Sequence, residues 1–273
     1  MKKMFRTYSA FIRAGIQDAI AYRASFLGFF IGEIFYCFIM YFLWKAVFNS
    51  NGASAIFNFT MVDMTVYLFM SNITGFLIGS DSTTAIGEEI KDGSIVMRMI
   101  KPINVDMSLF SFEIGNKIIL ASTVFLPVII GVEIYKYIQY GHIAFNVMLF
   151  LLYVVSAILS YLLMFYFNLA FGYLAFFLMN LWGFSILKES IVKFFSGAII
   201  PIAFFPWESV RKVFSVLPFA SMNYTPVMIY MGKYTGTTLI FSIMLQIIWV
   251  LSFWGICKFI WKLACKYLCI QGG

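Results

Sequence analysis

FSGAIIPIAFFPW, the stretch from Phe195 to Trp207, decides how this chain folds. A proline lacks a backbone N–H and its ring clashes with the turn before it, so Pro201 and Pro206 stop a helix from running straight through. Two more prolines, Pro218 and Pro226, follow before the next apolar segment. Within a membrane, irregular backbone is tolerated only where protein covers it or where it lines a water-filled cavity. The stretch therefore indicates a membrane protein with a path or a gate on one side.

The composition is that of an integral membrane protein. Of the 273 residues, 62% are hydrophobic and 11% are charged, and the mean hydropathy of +0.92 lies well above that of a soluble domain. The net charge of +7 does not indicate nucleic-acid binding, because the basic residues lie at the ends of apolar segments rather than along one polar face. The cysteines form no CxxC pair, which argues against a disulfide framework. The first apolar stretch is too long for the core of a signal peptide, so we expect no cleaved leader.

Six apolar segments come near the roughly 20 residues that a membrane-spanning helix needs. The sequence predicts an all-α integral membrane protein that forms a single domain over residues 1–273. An amphipathic segment, residues 1–25, is expected to lie along the membrane surface before the first span. Residues 145–187 are too many for one untilted helix, and we expect a turn at Gly172 or at residues 180–183. The predicted spans are Phe26–Phe48, Val62–Gly79, Lys117–Val132, Phe145–Phe167, Ser185–Phe205 and Leu239–Ile260.

The distribution of Lys and Arg predicts the orientation, because these residues accumulate on the cytoplasmic side of membrane proteins. Most of them flank the two termini and the second and fourth connections between spans. Both termini are therefore predicted to be cytoplasmic, with the chain in the plasma membrane. The predicted cytoplasmic set is Lys2, Lys3, Arg6, Arg13, Arg23, Lys91, Arg98, Lys101, Lys117, Lys188, Lys193, Lys258, Lys262 and Lys266. The smaller outer set is Lys45, Lys136, Arg211, Lys212 and Lys233.

The connection between the second and third predicted spans, residues 80–106, contains a short polar helix, a glycine and an amphipathic piece. Three apolar residues of that piece fall at helical spacing, and two basic residues flank them. From the pattern alone, two interpretations stay open. A protein partner grips the apolar ridge, or the ridge packs on the membrane surface or on the chain's own helix ends. The ridge consists of Ile95, Met99 and Ile100, flanked by Arg98 and Lys101, and Pro102 ends it.

Two motifs, in this order, resemble those of the ABC type-2 exporter permeases. The first is I-x-x-G-x-I-x-x-x-M-I-K-P-I in residues 90–103. The second is S-G-x-x-I-P-x-x-x-F-P in residues 196–206, with L-P-F following at 217–219. The resemblance covers essentially the whole chain, and neither motif is a catalytic signature. It implies the ABCG-like, type V exporter fold, in which a permease pairs with itself or a paralogue over two ATP-binding-cassette subunits.

The resemblance implies two functional segments. A coupling helix within residues 86–103 seats in a cleft of the ATPase, and a re-entrant hairpin within residues 195–230 forms the extracellular mouth. The ATPase-coupling residues that it implies are Glu89, Ile90, Gly93, Ile95, Arg98, Met99, Ile100, Lys101 and Pro102. The gate residues that it implies are Ser196, Gly197, Pro201, Phe205, Pro206, Pro218 and Phe219.

The energy for transport is expected to come from another chain. No ATP-binding loop of the form GxxxxGK[ST] occurs in this sequence. ATP and Mg²⁺ are therefore expected in a partner ATPase subunit, while this chain is non-catalytic and binds no cofactor or metal directly. The mechanism implied is that ATP closes the partner's dimer, the seated coupling helices move, and the membrane halves rock between inward and outward access. The other implied partners are a second permease, either a paralogue or a copy of this chain, and the lipid bilayer.

Among the charged residues inside the predicted spans, three are candidate intramembrane sites: Glu33, Lys117 and Lys193. A carboxylate at Glu33 is costly unless it meets substrate, a base such as Lys117, or water near the interface, and these possibilities stay open. Glu113 precedes Lys117 by four residues, a spacing that favours a local ion pair. Lys193 is expected to extend its ammonium group to the cytoplasmic surface, with a place in the translocation path as the alternative.

Two other classes of function compete with an exporter permease. A membrane enzyme acting on lipids needs convergent acids, bases or metal ligands, and the sequence shows only the scattered carboxylates of Glu33, Asp106 and Glu113. A structural or sensory scaffold has no need to line a cavity, so the broken stretch at residues 195–207 argues against it. The permease is the function that we expect from the sequence.

Overall fold

A computed structural model describes residues 2–52, 54–178 and 182–271. Across these residues the chain folds into thirteen α-helices joined by short turns. The prediction of an all-helical membrane protein is confirmed. The helices are α1 (Lys2–Ala21), α2 (Arg23–Asn51), α3 (Met61–Ile78), α4 (Ser82–Lys91), α5 (Ile95–Met99), α6 (Val105–Leu120), α7 (Leu126–Tyr140), α8 (Val147–Tyr173), α9 (Trp182–Phe195), α10 (Glu208–Val216), α11 (Pro218–Met222), α12 (Tyr224–Tyr230) and α13 (Gly236–Gln271).

Within the described residues, five helical runs are long and apolar enough to cross a membrane. The 36 residues of the third run span about 54 Å at 1.5 Å per residue, whereas the hydrocarbon core of a bilayer is about 30 Å thick. This run is therefore longer than the hydrocarbon core is thick. The runs are Phe30–Ser50, Met61–Lys91, Val105–Tyr140, Val147–Phe176 and Gly236–Lys266.

The helix bounds differ from the predicted spans at several ends, two of which bear on the site. The third spanning helix begins at Val105 rather than at Lys117, because the Asn104 side chain caps its first turn. Near the fifth predicted span, α9 has 14 residues and ends at Phe195, well before Phe205. The six-span count stays a prediction.

The structure describes only one of the two positions at which a turn is predicted in residues 145–187. Gly172 lies inside α8 and makes no turn. The other predicted position includes Asn180 and Leu181, which lie outside the described residues, and α9 begins directly after them. Between the two helices, a short 3₁₀ turn covers Leu174–Phe176.

The third spanning run contains an irregular turn at its centre. Residues Ala121–Phe125 form a π-helix, and Pro127 lies in the first turn of α7. A proline removes a backbone donor, and the wider turn accommodates this loss within one continuous run. The hydroxyl groups of Ser122 and Thr123 both donate to the carbonyl of Ile119, at 2.9 and 2.8 Å. Sequence analysis did not predict this feature.

α1 packs against α6 with the two backbones in contact. A Cβ atom added at Gly15 would lie 2.0 Å from the carbonyl oxygen of Phe112, and one added at Gly115 would lie 2.2 Å from that of Ile12. The backbone N–H of Asn104 donates to the Tyr8 hydroxyl at 3.1 Å. α1 is therefore fixed to the start of the third spanning run, while its place on a membrane surface stays a prediction.

The buried side chains form clusters at the two ends of the bundle. One cluster fills the end at which α3 and α8 begin and α7 ends, with Tyr67 and Tyr153 fully buried. The other lies where α4, α5, α6 and α8 meet, and includes Ile86, Ile95 and Leu169. A third cluster is formed by residues of α3, α8, α9 and α11, and side chains of α13 pack against it. The two ends carry the two segments that sequence analysis singled out.

Candidate functional site

The segment after α3 folds into two short helices at one end of the bundle. α4 ends at Lys91, and Gly93 turns the chain with a φ of 79°, a conformation that suits glycine. Asp92 steadies this turn by accepting a hydrogen bond from the backbone N–H of Ser94 at 2.8 Å. Hydrogen bonds from the Ser94 hydroxyl and backbone lower the pKa of the Asp92 carboxyl. The five residues of α5 follow at once.

α5 divides the predicted apolar ridge between the core and the surface. Ile95 is only 1% exposed and packs in the cluster with Ile86. Met99 and Ile100 are 38% and 74% exposed, and Met97 is 62% exposed. The first residue of the ridge therefore packs on the chain's own helices, while the rest lies uncovered. We call this uncovered surface the α5 face; it consists of Val96, Met97, Met99 and Ile100, with Lys101 and Pro102 exposed beside it.

Arg98 binds α5 to the neighbouring helices and is not a free basic residue beside the apolar ridge. Its guanidinium group donates to both carboxylate oxygens of Glu89, each at 2.6 Å. A third N–H donates to the hydroxyl of Ser108 in α6 at 2.9 Å. Such a two-pronged pair is among the strongest polar contacts that proteins make. Glu89 and Arg98 thus hold the segment in place. Ile90, the residue after Glu89, is half-buried.

α4 fits against α8 without a gap. A Cβ atom added at Gly172 would lie 2.2 Å from Cγ2 of Ile86 and 3.1 Å from the carbonyl oxygen of Ser82. Ile86 is fully buried. Because packed interfaces have few voids, a displacement of α4 must displace α8 or break this contact.

A buried lysine joins α4, α8 and α9. Lys188 on α9 is 6% exposed, and its ammonium group donates to Thr83 Oγ1 at 2.8 Å and to Asn168 Oδ1 at 2.5 Å. Thr83 also donates to the backbone carbonyl of Asn168 at 2.8 Å. No carboxylate lies within ion-pair distance of Lys188 among the described residues. A buried charge held by neutral acceptors is costly and marks a candidate functional position.

The sequence pattern does not identify Lys188 as a site residue. The distribution of charge predicts that Lys188 belongs to a cytoplasmic connection, and Lys193, the predicted intramembrane charge, is exposed. Lys188 meets Thr83 and Asn168 across 105 and 20 positions of sequence. Only the packing of three helices brings these groups together, so no local pattern predicts the contact.

The other charged residues inside the bundle bind polar groups on neighbouring helices. Glu33 accepts a hydrogen bond from the Asn72 side chain at 2.8 Å. The ammonium group of Lys117 donates to the Phe76 carbonyl at 2.9 Å. Glu113 accepts from Ser80 at 2.8 Å and from Tyr161 at 3.1 Å. The ion pair predicted between Glu113 and Lys117 is absent from the pairs of the described residues, because each group has a nearer partner on another helix.

The broken stretch lies at the opposite end, where α9 stops at a tight turn. Gly197 has a φ of 77°, and its carbonyl oxygen accepts a hydrogen bond from the Tyr67 hydroxyl at 2.6 Å. Ser196 and Gly197 are buried, and a Cβ atom at Gly197 would lie 3.0 Å from that hydroxyl. Ser71 donates to the carbonyl of Ala198 at 3.4 Å. The turn is thus pinned to α3.

A short 3₁₀ turn, Ile202–Phe204, follows the buried Pro201. Its last side chain, Phe204, packs among other aromatic side chains. The Phe204 ring centre lies 5.0 Å from that of Trp44 and 5.5 Å from that of Phe59, in edge-to-face contacts. Phe205 packs on Phe214 of α10 at 4.9 Å. Pro206 is exposed, and α10 then runs along the outside of the bundle.

The chain returns into the bundle after α10. Pro218 is buried at the first position of α11, and the half-buried Phe219 packs on Phe195 at 5.8 Å between ring centres. Every residue of α12 is buried, and α12 contacts both α3 and α8. The Asn223 amide donates to Ser71 at 2.6 Å, which links this return to the turn at Gly197. Of the predicted gate residues, Gly197 is therefore held by α3, whereas Phe205 packs on α10 and Phe219 packs on the end of α9.

The described residues include no cluster of three or more His, Cys, Asp or Glu that could hold a metal ion. The arrangement consists instead of an uncovered apolar face at one end, a broken stretch at the other, and helices that connect them.

Comparison with known families gives a match that covers most of the chain. The sequence model of the family described as ABC-2 family transporter protein matches residues 34–272. The match includes both motifs, the α5 face and the buried lysine. A comparison with curated proteins gives no match.

Proposed function

Because this chain belongs to the ABC-2 family of transporter proteins and is a multi-pass membrane permease, we propose that it is the transmembrane subunit of an ATP-driven exporter. It forms the translocation path with a second permease, either a paralogue or a second copy, in the type V arrangement. A separate ATP-binding-cassette subunit binds ATP and Mg²⁺. This chain transmits movement and performs no chemistry of its own.

The observation that carries the proposal is the α5 face. Its side chains project from a helix that Arg98 and Ile95 fix to the rest of the protein. An apolar face held on a rigid support can transmit force from a partner, whereas the same face on a loose loop cannot. We assign α4 and α5, within residues 80–106, as the coupling element that seats in the ATPase.

The proposed path of movement runs from the coupling element to the broken stretch. α4 is packed against α8 at Gly172, and Lys188 links α4 to α9. α9 ends at the turn of Gly197, which Tyr67 holds. We assign residues 195–230 as the re-entrant hairpin at the extracellular mouth, with α9 and this hairpin acting as the fifth of six spans.

In the proposed orientation, the protein lies in the plasma membrane. The α5 face and both termini are on the cytoplasmic side. The end that carries α5 also carries Arg98 and Lys258, and α1 contributes further basic residues there. The excess of Lys and Arg at this end supports the assignment.

The experiment that tests the proposal is co-purification of the ATPase with variants of this chain. Ile100→Glu puts a charge on the α5 face, where the side chain is 74% exposed, so folding is expected to be unchanged while ATPase recovery falls by about tenfold or more. Ser209→Glu is the matched control, because it adds the same charge at an exposed position on α10, at the other end. Equal ATPase recovery with both variants would contradict the proposal.

A further inference from the structure

Glu33 on α2 lies near the middle of the spanning region. Its carboxylate accepts a hydrogen bond from the Asn72 amide on α3, so the two side chains share one depth. Asp63 belongs to a charged pair at the end of the bundle opposite to α5. From Asp63 to Asn72, α3 rises about 13.5 Å at 1.5 Å per residue, and half the hydrocarbon core of a bilayer is about 15 Å. The carboxylate is therefore too deep to be hydrated from a membrane surface.

No cation among the described residues neutralises Glu33. The ion pairs of those residues do not include it. Lys117, the base that the sequence offers as a partner, donates instead to the Phe76 carbonyl at 2.9 Å. Asn72 is neutral, so its hydrogen bond orients the carboxylate without balancing the charge. Of the partners that the sequence leaves open, Lys117 and water at the interface are thus excluded, and the substrate remains.

The protein around Glu33 is open on one side. Glu33 and Asn72 are both only half-buried. A Cβ atom added at Gly75, about one turn after Asn72, would have no atom of the described residues within 4 Å. Acyl chains cannot solvate a carboxylate, and ionisable residues within spans almost always face a bundle interior or a water-filled cavity. We therefore expect this side of α2 and α3 to face water within the assembled transporter rather than lipid.

The uncompensated charge of Glu33 selects the class of ligand. A carboxylate attracts positively charged groups and repels anions, and both effects are stronger within a membrane protein than in bulk water. An ammonium group donates charge-assisted hydrogen bonds to a carboxylate, and such bonds are stronger than those between neutral groups. A positively charged group is therefore the ligand that this position favours.

We propose that Glu33 and Asn72 form a cation-selective contact in the translocation path, where a positively charged group of the substrate binds the carboxylate. Asn72 positions the carboxylate through its side-chain N–H. The path runs along α2 and α3, between this chain and the second permease. This inference rests on the proposed function, because it takes the chain to line a translocation path.

The test is the rate at which charged thiol reagents modify a cysteine beside Glu33. Gly75→Cys, in a variant whose native cysteines are replaced by alanine, is treated with a cationic and an anionic methanethiosulfonate in native membrane vesicles, with and without ATP. We expect both reagents to react, the cationic one faster. Glu33→Gln should lower the ratio of the two rates about tenfold, because it removes the local negative charge. Glu208→Gln is the matched control, since it removes an exposed carboxylate from α10, and it should leave the ratio unchanged.

Gly131→Cys is the matched reporter at a similar depth on α7, about 13.5 Å before Tyr140. Gly131 is exposed, with no atom of the described residues within 4 Å of an added Cβ, and we expect it to face lipid and to react with neither reagent.

Three results would overturn the proposal. The first is equal reactivity at Gly75→Cys and Gly131→Cys, which would show that access is not specific to a path. The second is no reaction at Gly75→Cys with or without ATP, because lipid or a partner helix would then cover Glu33. The third is an unchanged rate ratio in Glu33→Gln. The readout is water access and local charge, so a failure here is distinguishable from a failure to recover the ATPase.

Discussion

At the scale of single residues, the coupling of helices depends on two kinds of contact. One kind leaves no space for an additional atom, and the other holds a buried charge. Gly172 has no space for a side chain against α4, and Lys188 joins α4 to α8 and α9 through neutral acceptors. Both residues lie between the α5 face and the broken stretch. Changes at these positions are therefore expected to affect transmission as well as stability.

Gly172→Ala is expected to push α4 away from α8, because the new methyl group would lie 2.2 Å from Cγ2 of Ile86. Overpacking of this kind costs about 1–3 kcal/mol. The melting temperature in detergent should fall. ATP hydrolysis by the complex should become uncoupled from movement of the membrane subunit. Gly75→Ala is the control, since nothing lies within 4 Å of a Cβ atom there. Ile86→Ala should cost less stability in the Gly172→Ala variant than in the unchanged protein, and additive losses would argue against a direct contact.

Lys188→Met and Asn168→Leu are expected to differ strongly in stability although they break the same contact. Removing the ammonium group relieves a buried charge, and Thr83 and Asn168 still bond to each other, so the change in unfolding free energy should stay within about 1 kcal/mol. Asn168→Leu strips an acceptor from a buried charge and should cost about 3–5 kcal/mol. Thermal unfolding in detergent measures both. A larger loss for Lys188→Met would show that the charge stabilises the fold.

The same lysine provides a test of transmission. Lys188→Met should assemble with the ATPase but should lower the ATP-dependent change in accessibility of a cysteine placed at Ala198. Lys193→Met is the matched control on α9, because its side chain is exposed. An unchanged response in Lys188→Met would remove this residue from the proposed path.

At the scale of elements, α5 is a short helix that cannot be stable alone, because five residues make too few helical hydrogen bonds. It is held by the buried Ile95 and by the contacts of Arg98 with Glu89 and Ser108. The α5 face is therefore a surface whose position depends on one polar junction. The broken stretch has a similar dependence on the hydrogen bonds of Tyr67 and Asn223.

Arg98→Lys should loosen α5 while leaving the spans intact. A lysine keeps the charge but cannot reproduce the two-pronged contact with Glu89. Loss of about 1.4 kcal/mol of local stability corresponds to about tenfold faster hydrogen exchange in residues 94–104. Exchange followed by mass spectrometry measures this, and residues 147–160 of α8 serve as the internal reference. Uniform acceleration across both regions would indicate global rather than local loosening.

At the scale of the whole molecule, composition predicted a helical membrane protein, and the resemblance of two motifs predicted the family; both are confirmed. These properties depend on local signals: runs of apolar residues, prolines and short motifs. The bounds of α6 and α9 were not predicted, because Asn104 caps α6 early and the turn after Phe195 follows from contacts with α3. The role of Lys188 was missed for the same reason, since its partners come from distant parts of the chain.

The most direct test of the central claim is photo-crosslinking from the α5 face in native membranes. A photoreactive residue at Met97, which is 62% exposed, should yield a crosslink to an ATP-binding-cassette subunit. The same residue at Ile143, 80% exposed at the opposite end, should yield none. Crosslinks to the ATPase from Ile143, or none from Met97 in a membrane that contains the ATPase, would contradict the assignment of α5 as the coupling element.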